Sequence, residues 1–157
     1  MSAPNDPGRG RKTPVHTAID KKDLAQLEKV LTKWPDDVNI SGGMHGETPL
    51  QYAVYKNGGW LEGVLFLLER GADINATKGM RRTPLMIAGE FGRVEIAERL
   101  VAAGADCTVT SLNGRDAAGW AKAYEHEELS VVLAKAAKDQ QLLLKGGDAA
   151  PAKALLE

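Results

Sequence analysis

The dipeptide Thr-Pro recurs along this chain at a constant interval. It stands at Thr13-Pro14, Thr48-Pro49 and Thr83-Pro84, so successive copies are 35 residues apart. A further 33 residues on, Asp116-Ala117 takes the same place in the segment "GRDAAGWA". A period of this length indicates a stack of repeated units, each of which buries its apolar face against the next. The period therefore constrains the fold more than any other feature of the chain.

Each copy of the dipeptide predicts the start of a helix. Threonine or aspartate can accept a hydrogen bond from an unpaired backbone N–H of the first turn, and proline suits the first helical position. Short apolar helices follow in "PLQYAVYK", "PLMIAGEF" and "AAGWAKAY", and second, amphipathic helices in "LEGVLFLLER", "VEIAERLVAA" and "EELSVVLAKAA". Gly71 and Gly104 follow two of these second helices, where a glycine can take the left-handed conformation that ends a helix.

These residues resemble the ankyrin repeat. The unit "RTPLMIAGEFGRVEIAERLVAAGADCTVT" follows the family pattern almost throughout, and "GETPLQYA" with "LLERGADINA" carries it in the unit before. The first unit keeps "TPVHTAI" and "DVNI", and the fourth loses its terminal loop. The resemblance implies an all-α solenoid of stacked helix–loop–helix units. Each unit adds a β-hairpin-like finger, and the stack has a concave groove.

The resemblance also implies the organisation of the chain. We expect a flexible leader over residues 1–12 and an ankyrin-repeat domain over 13–136. The repeats fall at about 13–45, 46–80, 81–113 and 114–136, and a C-terminal helical extension or tail covers 137–157. The leucines at 142–144 need cover, either from the last repeat or from a binding partner.

Three departures from the family pattern change local expectations. The segment "YKNGGWLEG" carries two extra residues, which places Trp60 on an enlarged loop between two helices. Gly63 replaces a bulky aliphatic residue, so looser packing is expected there. Lys78 and Arg81 stand where the family usually has aspartate and glycine.

The charge balance argues against two classes of partner. Twenty basic residues face twenty-one acidic ones, so the net charge is -1, and general affinity for nucleic acid or for an anionic membrane is not expected. The first residues, "MSAPNDPGRGRK", contain no apolar stretch of a secretory signal. The single cysteine, Cys107, suits a reducing compartment. We therefore expect a cytoplasmic protein, with the nucleus left open.

No catalytic or cofactor site emerges from the sequence. Gly42 and Gly46 are one residue too close for a phosphate loop, and Glu47 stands where such a loop needs lysine. His126, in the acidic "EHEE" segment, could bind a metal only weakly, since paired ligand spacing is missing. Cys107 is expected to be a packed thiol rather than a reactive one. We expect a non-enzyme without cofactor or metal.

A partner is expected on the concave surface, as in the family. Tyr55, Phe91 and Tyr124 are predicted to form an aromatic ladder, beside a basic patch from the finger at 77–83. Alternatively, Phe91 and Tyr124 only seal adjacent helices. The full set of predicted partner-binding residues is Met44, His45, Tyr55, Lys56, Trp60, Lys78, Met80, Arg81, Arg82, Glu90, Phe91, Leu112, Asn113 and Tyr124.

The function expected from these residues is a non-catalytic protein–protein interaction module that acts as adaptor, scaffold or inhibitor. Its partner would be another protein with apolar anchors and acidic neighbours, and the chain would be monomeric when free. The alternative is a permanent structural subunit of a larger assembly, anchored by its tails. Folds of this kind serve many unrelated roles, so the fold alone does not choose between them.

Overall fold

The computed structural model describes residues 12–78 and 81–146. Within them the chain forms helices in antiparallel pairs, and successive pairs stack along the chain. The helices are α1 (Pro14–Asp20), α2 (Leu24–Lys33), α3 (Pro49–Tyr55), α4 (Leu61–Glu69), α5 (Pro84–Phe91), α6 (Val94–Ala102), α7 (Ala117–Ala123) and α8 (Glu127–Gly146). Short 3-10 helices cover Pro35–Asn39 and Lys56–Gly58. The predicted all-α repeat solenoid is confirmed.

The four predicted caps begin the first helix of each unit. The side chains of Thr13, Thr48 and Thr83 each accept a bond from the backbone N–H three residues on. Asp116 accepts the N–H of Gly119 at 2.8 Å. Such a cap stabilises a helix by about 1 kcal/mol, so the recurrent dipeptide sets the start of each unit directly.

The core repeats with the same register as the caps. Five residues after each cap stands an alanine without exposed surface, in the list Ala18, Ala53, Ala88 and Ala121. Each second helix also buries a leucine almost completely, although not at one fixed distance from the cap, in the list Leu31, Leu67, Leu100 and Leu133. The small alanines let neighbouring first helices approach, and the leucines fill the space between the helix pairs. One continuous apolar core results.

Trp60 belongs to this core. Only 7% of its surface is exposed, and its ring lies where a side chain at Gly63 would project, because an added Cβ would come 2.1 Å from Trp60 Cε3. The expected loose packing at Gly63 is therefore wrong. The indole folds back from the enlarged loop and supplies the bulk that an aliphatic side chain supplies elsewhere in the family.

Side chains of one unit tie down the finger of the next. In the first unit His16, which is fully buried, bonds through Nε2 to the carbonyl oxygen of Glu47 at 2.9 Å. In the second unit Gln51, at the equivalent position, donates from Nε2 to the carbonyl oxygen of Arg82 at 2.8 Å. A buried carbonyl without a partner costs about 1–3 kcal/mol. These bonds therefore fix both the spacing and the rotation between units.

We predict a specific pH dependence of folding from His16. Burial lowers the pKa of His16 below its ordinary value near 6.5, so the unfolded chain binds more protons on acidification. The stability that neutral His16 contributes is fully present above the unfolded pKa. It is lost as the pH falls through about 6.5 towards the folded pKa, at up to about 1.4 kcal/mol per pH unit.

Urea unfolding of the wild type and of His16→Gln, at about pH 7 and about pH 5.5, measures this loss. Because glutamine serves at the equivalent position 51, the variant should fold and should lose less stability on acidification. Equal losses in both proteins would show that His16 is not responsible.

A second set of amide side chains runs along the loops that follow the second helices. Asn39 accepts the N–H of Asp73 at 2.8 Å, and Asn75 accepts the N–H of Asp106 at 2.9 Å. In the last step the amide comes from α8 instead of a loop. Gln140 accepts the N–H of Cys107 at 2.8 Å and donates to the carbonyl of Ala105 at 2.9 Å. We call these three residues the amide ladder.

The chain beyond residue 136 continues α8 without a break to Gly146. The extension expected from the sequence is thus helical as far as the structure describes it. Leu143 is half-buried there, whereas Leu142 and Leu144 are 60% and 76% exposed. Most of the expected leader, and residues 147–157, lie outside the described residues. None of the helices seen in the described part of the chain has the length and apolar character needed to cross a membrane.

Candidate functional site

A surface cavity of about 490 Å³ lies between the third and fourth units. One wall comes from the finger before α5 and the last turn of α5, and the other comes from the finger before α7 and α7 itself. We call it the groove cavity, and its lining residues are Arg81, Arg82, Glu90, Ser111, Leu112, Asn113, Trp120 and Tyr124. Most of them belong to the predicted partner-binding set, so the structure brings the later part of that set together.

Arg82 and Glu90 form an ion pair on the floor of the groove cavity. Both side chains are mostly buried, with 13% and 12% of their surfaces exposed. The guanidinium of Arg82 also lies 4.8 Å from the ring centroid of Trp120, a distance at which a cation is attracted to an indole face. Arg82 is therefore held on two sides, and its charge is largely neutralised within the fold.

The same pairing exists one unit earlier with different chemistry. Glu47 precedes the cap of α3 as Arg82 precedes the cap of α5, and its buried carboxylate accepts bonds from the Tyr55 hydroxyl and from the His45 N–H, the latter at 3.1 Å. Burial, together with this bond to Glu47, raises the pKa of Tyr55. Glu47 and Tyr55 thus clamp a finger to its helix. Gly43 is needed beside them, because its φ is +70° and an added Cβ would come 2.6 Å from Glu47 Oε2.

In the fourth unit this pairing is missing. Arg115 precedes the cap of α7, but Ala123 holds the place of Tyr55 and Glu90 and offers no polar group. The guanidinium of Arg115 lies 5.6 Å from the ring centroid of Trp120. Among the described residues Arg115 makes no ion pair. A cation without an ion-pair partner among the described residues therefore lies beside Trp120, which lines the groove cavity.

The apolar part of the groove cavity is formed by Leu112 and Tyr124. Leu112 is 81% exposed and Tyr124 is 49% exposed. Tyr124 is stacked on Trp120, with centroids 6.1 Å apart. The indole Nε1 donates to Ser111 Oγ at 3.1 Å, and Asn113 accepts a hydrogen bond from the same Ser111 hydroxyl. The finger and α7 are thus joined through polar bonds, while an apolar surface remains open to solvent.

The predicted aromatic ladder is present in part. Tyr55 and Phe91 stack across two units, with ring centroids 5.2 Å apart. Between residues 81 and 146 no ring contact continues from Phe91 to Tyr124, which stacks on Trp120 of its own helix instead. The aromatic surface is therefore in two pieces.

The remaining predicted residues lie in different surroundings. Trp60 is buried in the core and is not presented to a partner, because its ring fills the space at Gly63. Lys78 donates to the carbonyl of Asn39 at 3.1 Å, which draws it towards the preceding unit and away from Arg81. Lys56 lies 5.7 Å from the Tyr52 ring. Met44 and His45 are exposed on an earlier finger, and Met80 lies outside the described residues.

Two lining residues, Ser111 and Trp120, were missed from the sequence. Trp120 stands four residues after its cap, where Tyr52 and Ile87 are buried in the earlier units, so its register indicates a core residue. Trp120 is half-buried, and within residues 12–78 and 81–146 no fifth helix pair covers it. The signal that could have found it is position: an aromatic residue at a core register of the last unit has a neighbour on one side only.

Neither a cluster of metal ligands nor an exposed thiol is present among the described residues. Within residues 12–78 and 81–146, no three His, Cys, Asp or Glu side chains lie close enough together to hold a metal ion. The predicted packing of Cys107 is confirmed, since the thiol is 1% exposed and its burial raises its pKa to about 11. Such a thiol is protonated at neutral pH and is a poor nucleophile.

The repeats of this chain are similar to a known family of repeats and to parts of several known proteins. A family model described as Ankyrin repeat matches residues 45–79 and 80–112. The Neurogenic locus notch homolog protein 1 of Xenopus laevis is 31% identical over 141 residues, which is 87% of this chain. The putative ankyrin repeat protein YahD of Escherichia coli is 37% identical over 92 residues, or 56% of this chain. The chain spans only 5% of the length of the first of these relatives and 45% of the second.

Proposed function

Since this chain belongs to the ankyrin-repeat family, whose repeats generally mediate protein–protein interaction, we propose that it is a non-catalytic binding module. It acts as an adaptor, scaffold or inhibitor through the concave side of its stack. The observation that carries this proposal is the groove cavity, where exposed Leu112 and Tyr124 adjoin unbalanced positive charge. Apolar anchors beside cations are typical of surfaces that bind another protein.

The chemistry of the groove cavity also indicates the kind of partner. Leu112 and Tyr124 favour an apolar or aromatic side chain, because burying it removes apolar surface from water. Arg81 and Arg115 favour acidic groups next to it. We propose a protein segment that combines both. A cytoplasmic location is part of the proposal, on the ground that the single cysteine is a free thiol, which suits a reducing compartment.

We expect the double substitution Leu112→Ser with Tyr124→Ser to reduce partner recovery at least about tenfold, since central apolar anchors each contribute about 2 kcal/mol or more to binding. Affinity purification from native extract, followed by quantitative mass spectrometry, measures recovery by the wild type and the variant. The matched control is Val131→Ser with Val132→Ser on α8, where the side chains are 68% and 46% exposed, close to the values of the groove pair.

The control should recover the same proteins as the wild type. If the groove variant also recovers them, the groove is not the binding surface. If recovery is lost only in the α8 control, the binding surface is the outer face of α8. Circular dichroism of both variants checks that they remain folded.

A permanent place in a larger assembly is the second candidate. It is favoured by Leu142 and Leu144, whose side chains are largely exposed near the end of α8. Size-exclusion chromatography of native extract separates the two candidates. Elution as a free monomer argues against the permanent subunit, and elution only in a large particle argues for it.

A further inference from the structure

Arg81 holds a backbone conformation that its equivalents leave to glycine. The residue two before each helix cap has a positive φ in the last three units: +73° at Gly46, +55° at Arg81 and +77° at Gly114. In this region Cβ crowds the following carbonyl, which costs an L-residue about 1 kcal/mol, whereas glycine has no such penalty. The turn itself therefore favours glycine, and Arg81 is the exception.

Nothing in the described fold compensates this cost. The side chain of Arg81 is exposed and makes no hydrogen bond, ion pair or ring contact with residues 12–78 or 81–146. Its neighbour Arg82 differs in every respect, being mostly buried, paired with Glu90 and placed over Trp120. Residues held in uncommon backbone regions cluster at functional sites. The two adjacent arginines thus have separate roles, one in the fold and one on the surface.

The charges around the groove cavity define what Arg81 can bind. Glu90 is committed to Arg82, and the carboxylate of Asp116 is committed to the N–H of Gly119. Near the groove cavity, two arginines make no ion pair with the described residues: Arg81, which lines the cavity, and Arg115, which lies beside Trp120. An anionic group in the groove would therefore meet an uncommitted guanidinium at Arg81, with the apolar surface of Leu112 and Tyr124 beside it.

We infer that Arg81 is the specificity-determining residue of the groove cavity. Arg81 binds a carboxylate side chain of the partner protein next to an apolar anchor. The fold keeps an arginine at this position although a glycine there would make the protein more stable. This inference rests on the proposed function, and it adds which residue selects the acidic group. A guanidinium forms two parallel hydrogen bonds to a carboxylate, which gives geometric as well as electrostatic selection.

The first arm of the test measures stability. Arg81→Gly should lower the equilibrium constant of unfolding about fivefold, because the strain of the left-handed residue is relieved. Lys22→Gly is the matched control, since Lys22 is also an exposed cation with a positive φ of +50°, but lies between α1 and α2. Both variants should be stabilised in urea titrations. If Arg81→Gly is no more stable than the wild type, the claim that binding is retained at the expense of stability is wrong.

The second arm measures recognition with a phage-displayed library of random peptides, selected on the wild-type protein. Groove ligands are the peptides whose binding is lost with Leu112→Ser and Tyr124→Ser. They should be enriched in Asp or Glu beside an apolar residue. Their affinity should fall at least about tenfold in Arg81→Gly, fall less in Arg81→Lys, and stay unchanged in Lys22→Gly.

The outcomes separate this inference from the proposed function. A selection without any groove-dependent peptide would contradict the proposed function and this inference together. Groove-dependent peptides that bind Arg81→Gly as well as the wild type would overturn this inference alone. Synthetic peptides in which phosphoserine replaces the acidic residue form a last arm. If they bind at least about tenfold more tightly, the group recognised is a phosphate and not a carboxylate.

Discussion

Trp60→Ala is expected to lower the free energy of unfolding by about 4 kcal/mol, within the range of about 3–5 kcal/mol that large-to-alanine core substitutions produce. The indole is 7% exposed and lies directly against Gly63. Because Gly63 has no side chain, position 63 cannot fill the cavity that the substitution leaves. Denaturation in urea, followed by circular dichroism, measures the loss.

Trp34→Ala is the matched control for this prediction. Trp34 is also a tryptophan just outside a helix, but it is half-buried and carries Lys33 4.5 Å from its ring centroid. Its loss should cost about 1–2 kcal/mol, because less apolar surface returns to water. If the two substitutions cost the same, the burial of Trp60 does not matter to stability.

A double substitution tests the packing of the two residues directly. Gly63→Leu alone should be strongly destabilising, because the new side chain meets the indole. Combined with Trp60→Ala, the leucine occupies the vacated space, so the pair should cost clearly less than the sum of the single substitutions. Additive losses would mean that the two positions do not share one space.

Gly89→Ala is expected to destabilise the protein by about 2–3 kcal/mol, although the same change in an exposed helix stabilises it by up to about 1 kcal/mol. The reason is the contact between α5 and α7. A Cβ at Gly89 would lie 2.7 Å from the carbonyl oxygen of Ala117. Because that atom belongs to the backbone, only a shift of the whole helix can relieve the overlap.

Gly119→Ala, on α7, provides the comparison for this prediction. Its Cβ would meet side-chain atoms of Arg115 and Asp116, the nearest at 3.3 Å, so that only a small shift relieves the contact. We expect its stability to stay within about 1 kcal/mol of the wild type. Differential scanning calorimetry of both variants gives the two changes. A melting temperature of Gly89→Ala at or above that of Gly119→Ala would contradict the close approach of α5 and α7.

The helix starts could be predicted from the sequence because a cap is a local interaction. Thr13, Thr48, Thr83 and Asp116 each bond an N–H three residues away, so the pattern of a few neighbours contains the whole cause. The burial of Trp60 could not be predicted in this way. It depends on how the indole turns back onto Gly63 after the enlarged loop. The number of extra residues in the loop does not determine which way the side chain points.

The position of the groove could be predicted from the sequence, but the role of each groove residue could not. Arg82 and Glu90 both appear among the predicted binding residues, yet they bind each other. Their separation by eight residues matches that of Glu47 and Tyr55, so the register was available in the sequence. An acid–tyrosine pair and an arginine–acid pair do the same thing in this fold, because each joins a finger to its helix. Only the structure shows that these chemically different pairs are equivalent.

The amide ladder has a consequence for how the series of units stops. The second helices of the two middle units are 9 residues long, whereas α8 has 20 and runs through the place where its own finger would form. Gln140 thereby uses the backbone groups at Ala105 and Cys107 from within a helix. Because α8 remains helical there, it forms no finger that could connect to another unit of the same kind. Among the described residues the stack therefore closes on one long helix, and a further repeat placed directly after α7 and α8 would require that helix to be shortened first.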